Sequence, residues 1–245
     1  MVKKNVKVAP KKSRAPFFGL LALIAVAGVA GIWYQMQGNS SAPIALPEGT
    51  PLPTATGYVM GDTTAPVHIV EYGDFECPGC MQFATLHEPD IRENIINKGL
   101  ASFAFYDYPL TDLHPNTMSA SLAAACADEQ GKFWEMHDAI FQGFYDWIAQ
   151  KTSNPKKVFQ TYLPKIGVNE QQWNECFDSQ KYVAKIMAHR QSGTERGVSG
   201  TPTFIINNVI YPNMTADRIR KVVDSLTKLA PPRATATTTD TAAKQ

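Results

Sequence analysis

The feature that most constrains this chain is a pair of cysteines, Cys77 and Cys80, set between an apolar run and a helix-forming run. The run before them, Val67-His68-Ile69-Val70-Glu71-Tyr72, is rich in β-branched and aromatic residues and reads as a buried strand. The run after them, Met81 to Ile96, holds good helix formers interrupted by Pro89. A strand-to-helix junction puts the first sulfur at a helix N-terminus, where unpaired backbone N–H groups and the helix dipole favour an anion. A thiolate is such an anion, so Cys77 is predicted to have a lowered pKa and to act as the attacking nucleophile. Cys80, about one turn further in, is placed to resolve a mixed disulfide. Pro78 falls just inside the helix start, where its missing N–H costs nothing.

The same spacing occurs in zinc sites, which need two further ligands in a compatible arrangement. Cys126 and Cys176 stand alone and far apart, and no His-x-x-x-His pair occurs. A redox pair is therefore expected, and no metal. A second feature points the same way. In Val198-Ser199-Gly200-Thr201-Pro202-Thr203-Phe204-Ile205-Ile206-Asn207 a proline opens a β-branched run, although proline cannot donate to a sheet ladder. The placement makes sense if the Thr201-Pro202 bond is cis and its loop presents backbone to a peptide. The plainer alternative is a trans proline beginning an edge strand.

Asp74-Phe75-Glu76-Cys77-Pro78-Gly79-Cys80 after an apolar strand, a helical stretch, and then Gly200-Thr201-Pro202-Thr203-Phe204 well over a hundred residues later together resemble the DsbA-like thiol–disulfide oxidoreductases. The resemblance runs from about Thr56 to Ala230. It implies an α/β thioredoxin fold with an inserted helical domain, a Cys77–Cys80 redox pair turned by Pro78 and Gly79, and no cofactor. It also implies that Thr201 and Pro202 hold a substrate strand through backbone hydrogen bonds, as in strand addition. An acid at the place of Glu71 is, in that family, a buried proton carrier for the resolving thiol. Burial would raise its pKa and suit it to general base work on Cys80; the alternative is a strand residue facing solvent. Some members carry a second, structural disulfide in the insertion, and Cys126 with Cys176 looks like one, against the alternative of two buried free thiols. Glu76 reads as a rim residue and His114, in Leu113-His114-Pro115, as part of a structural turn. Strong oxidases of the family often have a histidine where Gly79 stands. Gly79 brings no side-chain donor or charge to the thiolate, so a reductase or isomerase on the same scaffold stays open, as does a tethered binding module with a structural C-x-x-C.

The ends set the compartment. Residues 1–16 carry six lysines and arginines and no acid, and Phe17 to Tyr34 is a run of 18 uncharged, largely apolar residues closing on Trp33-Tyr34. Length, basic flank and aromatic pair fit a transmembrane signal anchor with the basic flank in the cytoplasm; a cleaved signal peptide is the rival. Either way the cysteines would work in an oxidising compartment, with the catalytic domain on the periplasmic or extracellular side of the cytoplasmic membrane. The expected partners are exported proteins with cysteine thiols and, by resemblance, a quinone-linked membrane protein that reoxidises the pair. Net charge is +1, which gives no reason to expect nucleic acid.

Between the ends, residues 35–55 carry four prolines with Gly, Ser and Thr and read as a linker. The thioredoxin-like domain is expected over 56–113 and 197–230, the helical insertion over 114–196, and a disordered tail over 231–245. Tyr58 to Asp62 and Leu100 to Tyr108 read as strands. Phe133, Trp134, His137, Ile140, Phe141 and Phe144 recur at helical spacing as one apolar face. Asn169 and Thr215 are candidate N-caps, and Asn207-Asn208 a two-residue hairpin turn.

Overall fold

The computed structural model describes residues 44–45 and 57–229. The expected anchor at 17–34, the basic segment 1–16 and the expected tail at 231–245 lie outside the described residues. Among those described, no helix is long and apolar enough to cross a membrane.

The strands are β1 (Ile44–Ala45), β2 (Tyr58–Met60), β3 (Val67–Gly73), β4 (Ala101–Asp107), β5 (Thr203–Ile206) and β6 (Val209–Pro212). They form one sheet in the order β1-β6-β5-β3-β4-β2, with β3 and β4 parallel and every other pair antiparallel. β3 is central and buried almost throughout, as its run of Val, Ile and Tyr requires of a strand covered on both faces. The β5–β6 hairpin turns on Asn207 and Asn208, both at positive φ (44° and 71°), the geometry a two-residue turn needs and asparagine tolerates. The Pro-rich segment read as a linker contributes β1, whose Ile44 pairs with Ile210 at the β6 edge.

The helices are α1 (Pro78–Leu86), α2 (Glu88–Ile91, continued by a wider turn over Arg92–Ile96), α3 (Thr117–Asp128), α4 (Phe133–Gln142), α5 (Phe144–Trp147), α6 (Lys156–Gln160), α7 (Leu163–Ile166), α8 (Glu170–Asp178), α9 (Val183–Glu195) and α10 (Ala216–Leu229). Pro89 breaks the first helical run because it cannot donate back to the preceding turn, so α1 ends at Leu86 and α2 restarts with Pro89 in its first turn. Asn169 caps α8 by accepting from Gln172 N at 3.0 Å, and Thr215 Oγ1 accepts from Arg218 N at 3.4 Å.

Alternation along the strands sorts the core. Ile69, Phe103, Phe204 and Ile206 face α1, α2 and α10, meeting Phe83, Ile91, Ile219 and Val223. Val70, Tyr72, Tyr106 and Ile205 face the other way with Tyr108 and Val198. The remaining helices build a second core around Phe141, Trp147, Phe159 and Trp173. α9, counted with the insertion on sequence grounds, in fact lies against the sheet: its His189 bonds Asp107 of β4 at 3.0 Å and its ring is 4.8 Å from that of Tyr106. Cys126 of α3 and Cys176 of α8 are joined by a disulfide with Cα atoms 5.7 Å apart.

Candidate active site

The turn Asp74-Phe75-Glu76-Cys77, closed by Cys77 N donating to Asp74 O at 3.0 Å, delivers β3 into α1. Cys77 is the N-cap of α1, with extended backbone and Pro78 just inside the helix. Its residue is only 8% exposed. Across from it the Thr201–Pro202 bond is cis, and the Cys77 thiol donates to the Thr201 carbonyl at 3.4 Å. Hydrogen bonding from the Cys80 thiol, and then from the Thr201 hydroxyl and the backbone N–H groups of Cys80 and Gly79, outweighs burial and lowers the Cys77 pKa from 9.0 to about 6. Each of these donors pairs with sulfur better when it is an anion. Gly79 sits within this constriction. A Cβ there would lie 3.2 Å from Pro202 Cδ and 3.7 Å from Cys77 Sγ. The residue takes no left-handed conformation, so its smallness serves the approach of the proline loop and not a tight turn.

Cys80 is fully buried. Burial pushes its thiol well above the usual range, and its bond to Cys77 and the nearby Glu71 push the same way. The two sulfurs, both free thiols here, are thus held apart in acidity: one ionises readily and the other keeps its proton. Glu71 shares its face of β3 with Ile69, the face that α1 covers, and is 1% exposed. Its Oε2 has no hydrogen-bond partner among the described residues. Burial, then the charges of Glu88 and Cys77, raise its pKa well above that of an ordinary carboxyl. The inward reading of Glu71 is the one the geometry gives.

Two acids in the turn do work that sequence reasoning missed. Asp74 is fully buried. Its Oδ1 accepts from Glu76 N (2.8 Å) and Thr117 Oγ1 (2.5 Å), its Oδ2 from Leu110 N (2.8 Å), and His114 Nδ1 lies 2.8 Å from Oδ2. Its own N–H donates to Cys80 Sγ at 3.4 Å. Glu76, expected at the rim, is instead 4% exposed. Its carboxylate accepts from Asn116 N (2.6 Å), which is buried, and from Ala149 N (2.5 Å), both backbone groups of the insertion. His114 does stabilise a turn, and hydrogen bonding to Asp74 raises its pKa, burial lowers it, and the Asp74, Cys77 and Glu76 charges raise it further. The signal available in the sequence was the acid-x-acid-Cys order itself: two carboxylates beside a nucleophile that must become an anion are costly unless they are tied up elsewhere.

A family model described as thioredoxin matches residues 53–225. The chain belongs to that family. The probable disulfide bond formation protein D of Bacillus anthracis is 27% identical over 175 residues, covering 69% of this chain and 78% of that protein. The Na(+)/H(+) antiporter NhaA 3 of Salinispora tropica is 34% identical over 150 residues, 61% of this chain. The match covers 21% of the antiporter, so the chain spans about a fifth of that relative's length. Among solved structures, Wolbachia pipientis alpha-DsbA1 superposes with a TM-score of 0.64 at 21% identity, over 73% of this chain and 94% of that one.

Proposed function

We propose that this chain is a membrane-tethered thiol–disulfide oxidoreductase that donates the Cys77–Cys80 disulfide to exported proteins. One observation carries the reading: a low-pKa sulfur at the N-terminus of α1 faces a cis-proline loop at 3.4 Å, over a high-pKa partner thiol. A substrate thiolate attacks Cys77 Sγ, the S–S bond breaks, and Cys80 leaves and takes a proton, with Glu71 as its donor. A second substrate thiolate then displaces Cys77, whose low pKa makes it a good leaving group. Thr201 and Pro202 would hold the substrate strand through their backbone. In this reading residues 17–34 would anchor the domain outside the cytoplasmic membrane, and a quinone-linked membrane partner would reoxidise the pair.

A second reading has an observation behind it. Cys77 at about 6 lies nearer the roughly 7 of thioredoxin than the roughly 3.5 of DsbA, and Gly79 adds no charge. A reductase or isomerase on this scaffold is the alternative. Redox titration of the domain against glutathione, with alkylation mapping of all four cysteines, separates the two. A potential nearer about −120 mV supports disulfide donation, and one near about −270 mV supports the reductase.

A further inference from the structure

When a thiolate attacks Cys77, the disulfide breaks and its electron pair goes to Cys80 Sγ. That sulfur is fully buried. The developing anion meets no water there, and a buried charge without a partner is costly. Burial first, then Cys77 and Glu71, push the Cys80 thiol up, while the backbone N–H of Asp74 pulls the other way. This N–H donates to Cys80 Sγ at 3.4 Å. Such a bond strengthens as its acceptor becomes an anion.

The direction of that N–H is fixed from both sides. The carbonyl of the same peptide unit, Gly73 O, accepts from Tyr108 N at 2.7 Å. A trans peptide is planar, with its C=O and N–H pointing opposite ways, so holding the carbonyl at the end of β4 aims the N–H at Cys80. The Asp74 carboxylate holds the other side. Glu76 N and Thr117 Oγ1 donate to its Oδ1 at 2.8 and 2.5 Å. Leu110 N and His114 Nδ1 donate to its Oδ2, both at 2.8 Å. Nδ1 is the protonated nitrogen of that bond, because an ionised carboxylate only accepts. A carboxylate has about four acceptor sites, and these four donors fill them. Asp74 is thus left with no free lone pair for a proton of the exchange reaction, and its carboxylate can only position. Leu110, His114 and Thr117 all lie between β4 and the first turn of α3. They are tied to one another: His114 N donates to Leu110 O at 2.9 Å, and Thr117 N to His114 O at 3.2 Å.

We propose that the Asp74 N–H receives the charge of the departing Cys80 sulfur, and that the Asp74 carboxylate and His114 are positioning residues that keep it aimed. The proposal rests on the redox reading above. The attacking sulfur bonds to Cys77 Sγ, the Cys77–Cys80 bond breaks with its electron pair on Cys80 Sγ, and the Asp74 N–H stabilises that thiolate until the Glu71 proton reaches it. In the reverse direction Cys80 returns its proton to Glu71. Its thiolate, still bonded to the Asp74 N–H, attacks Cys77 Sγ of the mixed disulfide, and the partner sulfur leaves with the electron pair. The charge of His114 plays no part, since the Nδ1 proton is present in the imidazolium and in the neutral Nδ1–H tautomer alike.

The test is stopped-flow reduction of the oxidised full-length protein by dithiothreitol at fixed pH, together with the Asp74 amide resonance in both redox states, read by NMR. Attack falls on Cys77, so the rate reads the departure of Cys80. Asp74→Asn keeps the shape but sets an amide donor against other donors. It is expected to slow reduction about tenfold, less than the roughly 10²–10³ that losing such a donor outright costs. His114→Ala should slow it less, and His114→Asn, whose Nδ2 donates in place of Nδ1, should restore the rate. The His114 side chain is 19% exposed, so this pair decides the matter even where Asp74→Asn fails to fold. The Asp74 amide proton should shift between the disulfide and the dithiol, move in His114→Ala and return in His114→Asn. His114→Ala at the wild-type rate, His114→Asn as slow as His114→Ala, or an Asp74 amide indifferent to the redox state would each overturn the positioning role and leave the redox reading standing. Wild-type disulfide that dithiothreitol does not reduce would overturn the redox reading itself.

Discussion

At the scale of single residues, the account turns on how Cys77 is kept acidic while Cys80 is not. The Thr201 side chain is among the groups that lower the Cys77 pKa, after the Cys80 thiol. Thr201→Val, nearly the same shape without the donor, should therefore raise that pKa above about 6. The thiolate's ultraviolet absorbance against pH measures it, and an unchanged titration would show that the hydroxyl does not help. The split acidities also fix how the reduction potential depends on pH. Below about 6 reduction takes up two protons with two electrons, and the potential should fall by about 59 mV per pH unit; above it only Cys80 is protonated and the slope should halve to about 30 mV. The linkage has the same sign. A lowered Cys77 pKa stabilises the folded reduced protein above the unfolded thiol value of about 8.5, and that stabilisation is lost as pH falls through about 6. Urea melts of the reduced protein at several pH values check the direction.

At the scale of elements, the active-site turn is fastened to the helical insertion by carboxylates. Asp74→Ala removes a fully buried acceptor of Thr117, Leu110 and Glu76 donors and should cost about 3 kcal/mol or more, since each bond to a charged group contributes roughly 1.5–3 kcal/mol. Denaturant unfolding would measure it. The Cys126–Cys176 bond spans 50 residues between α3 and α8, and replacing both cysteines by alanine should lower stability by about 4 kcal/mol on chain-entropy grounds, with the Cys77 titration unmoved. How much of this could be read from sequence follows from range. β3, the break at Pro89, the Asn207-Asn208 turn and the caps at Asn169 and Thr215 rest on neighbouring residues, and local chemistry reveals them. The burial of Glu76 depends on Asn116 and Ala149, 40 and 73 positions away, and no local pattern announces those partners. His114 and Asp74 are likewise brought together across 40 positions. α9 looked like one more helix of the insertion because the sequence shows its length but not that Tyr106 and Asp107 lie beneath it.

At the scale of the whole molecule, the thioredoxin sheet supplies a fixed meeting point: the end of β3 and the start of β5 are antiparallel neighbours, with Tyr72 paired to Thr203. That pairing carries Cys77 and the Thr201–Pro202 loop to the same edge although they are 124 positions apart. The insertion then closes over the turn through Glu76 and Asp74, so the reactive sulfur is held at the rim of a rigid frame and not on a free loop. The central claim is that Cys77 is the exchanging thiolate at this meeting point. The direct measurement is the pH dependence with which the reduced wild-type protein, its Cys80 intact, forms an adduct with iodoacetamide, the modified cysteine mapped by mass spectrometry. We predict an adduct on Cys77 whose rate of formation titrates at about 6. No adduct, or one that forms only with the acidity of an ordinary thiol, would contradict the account.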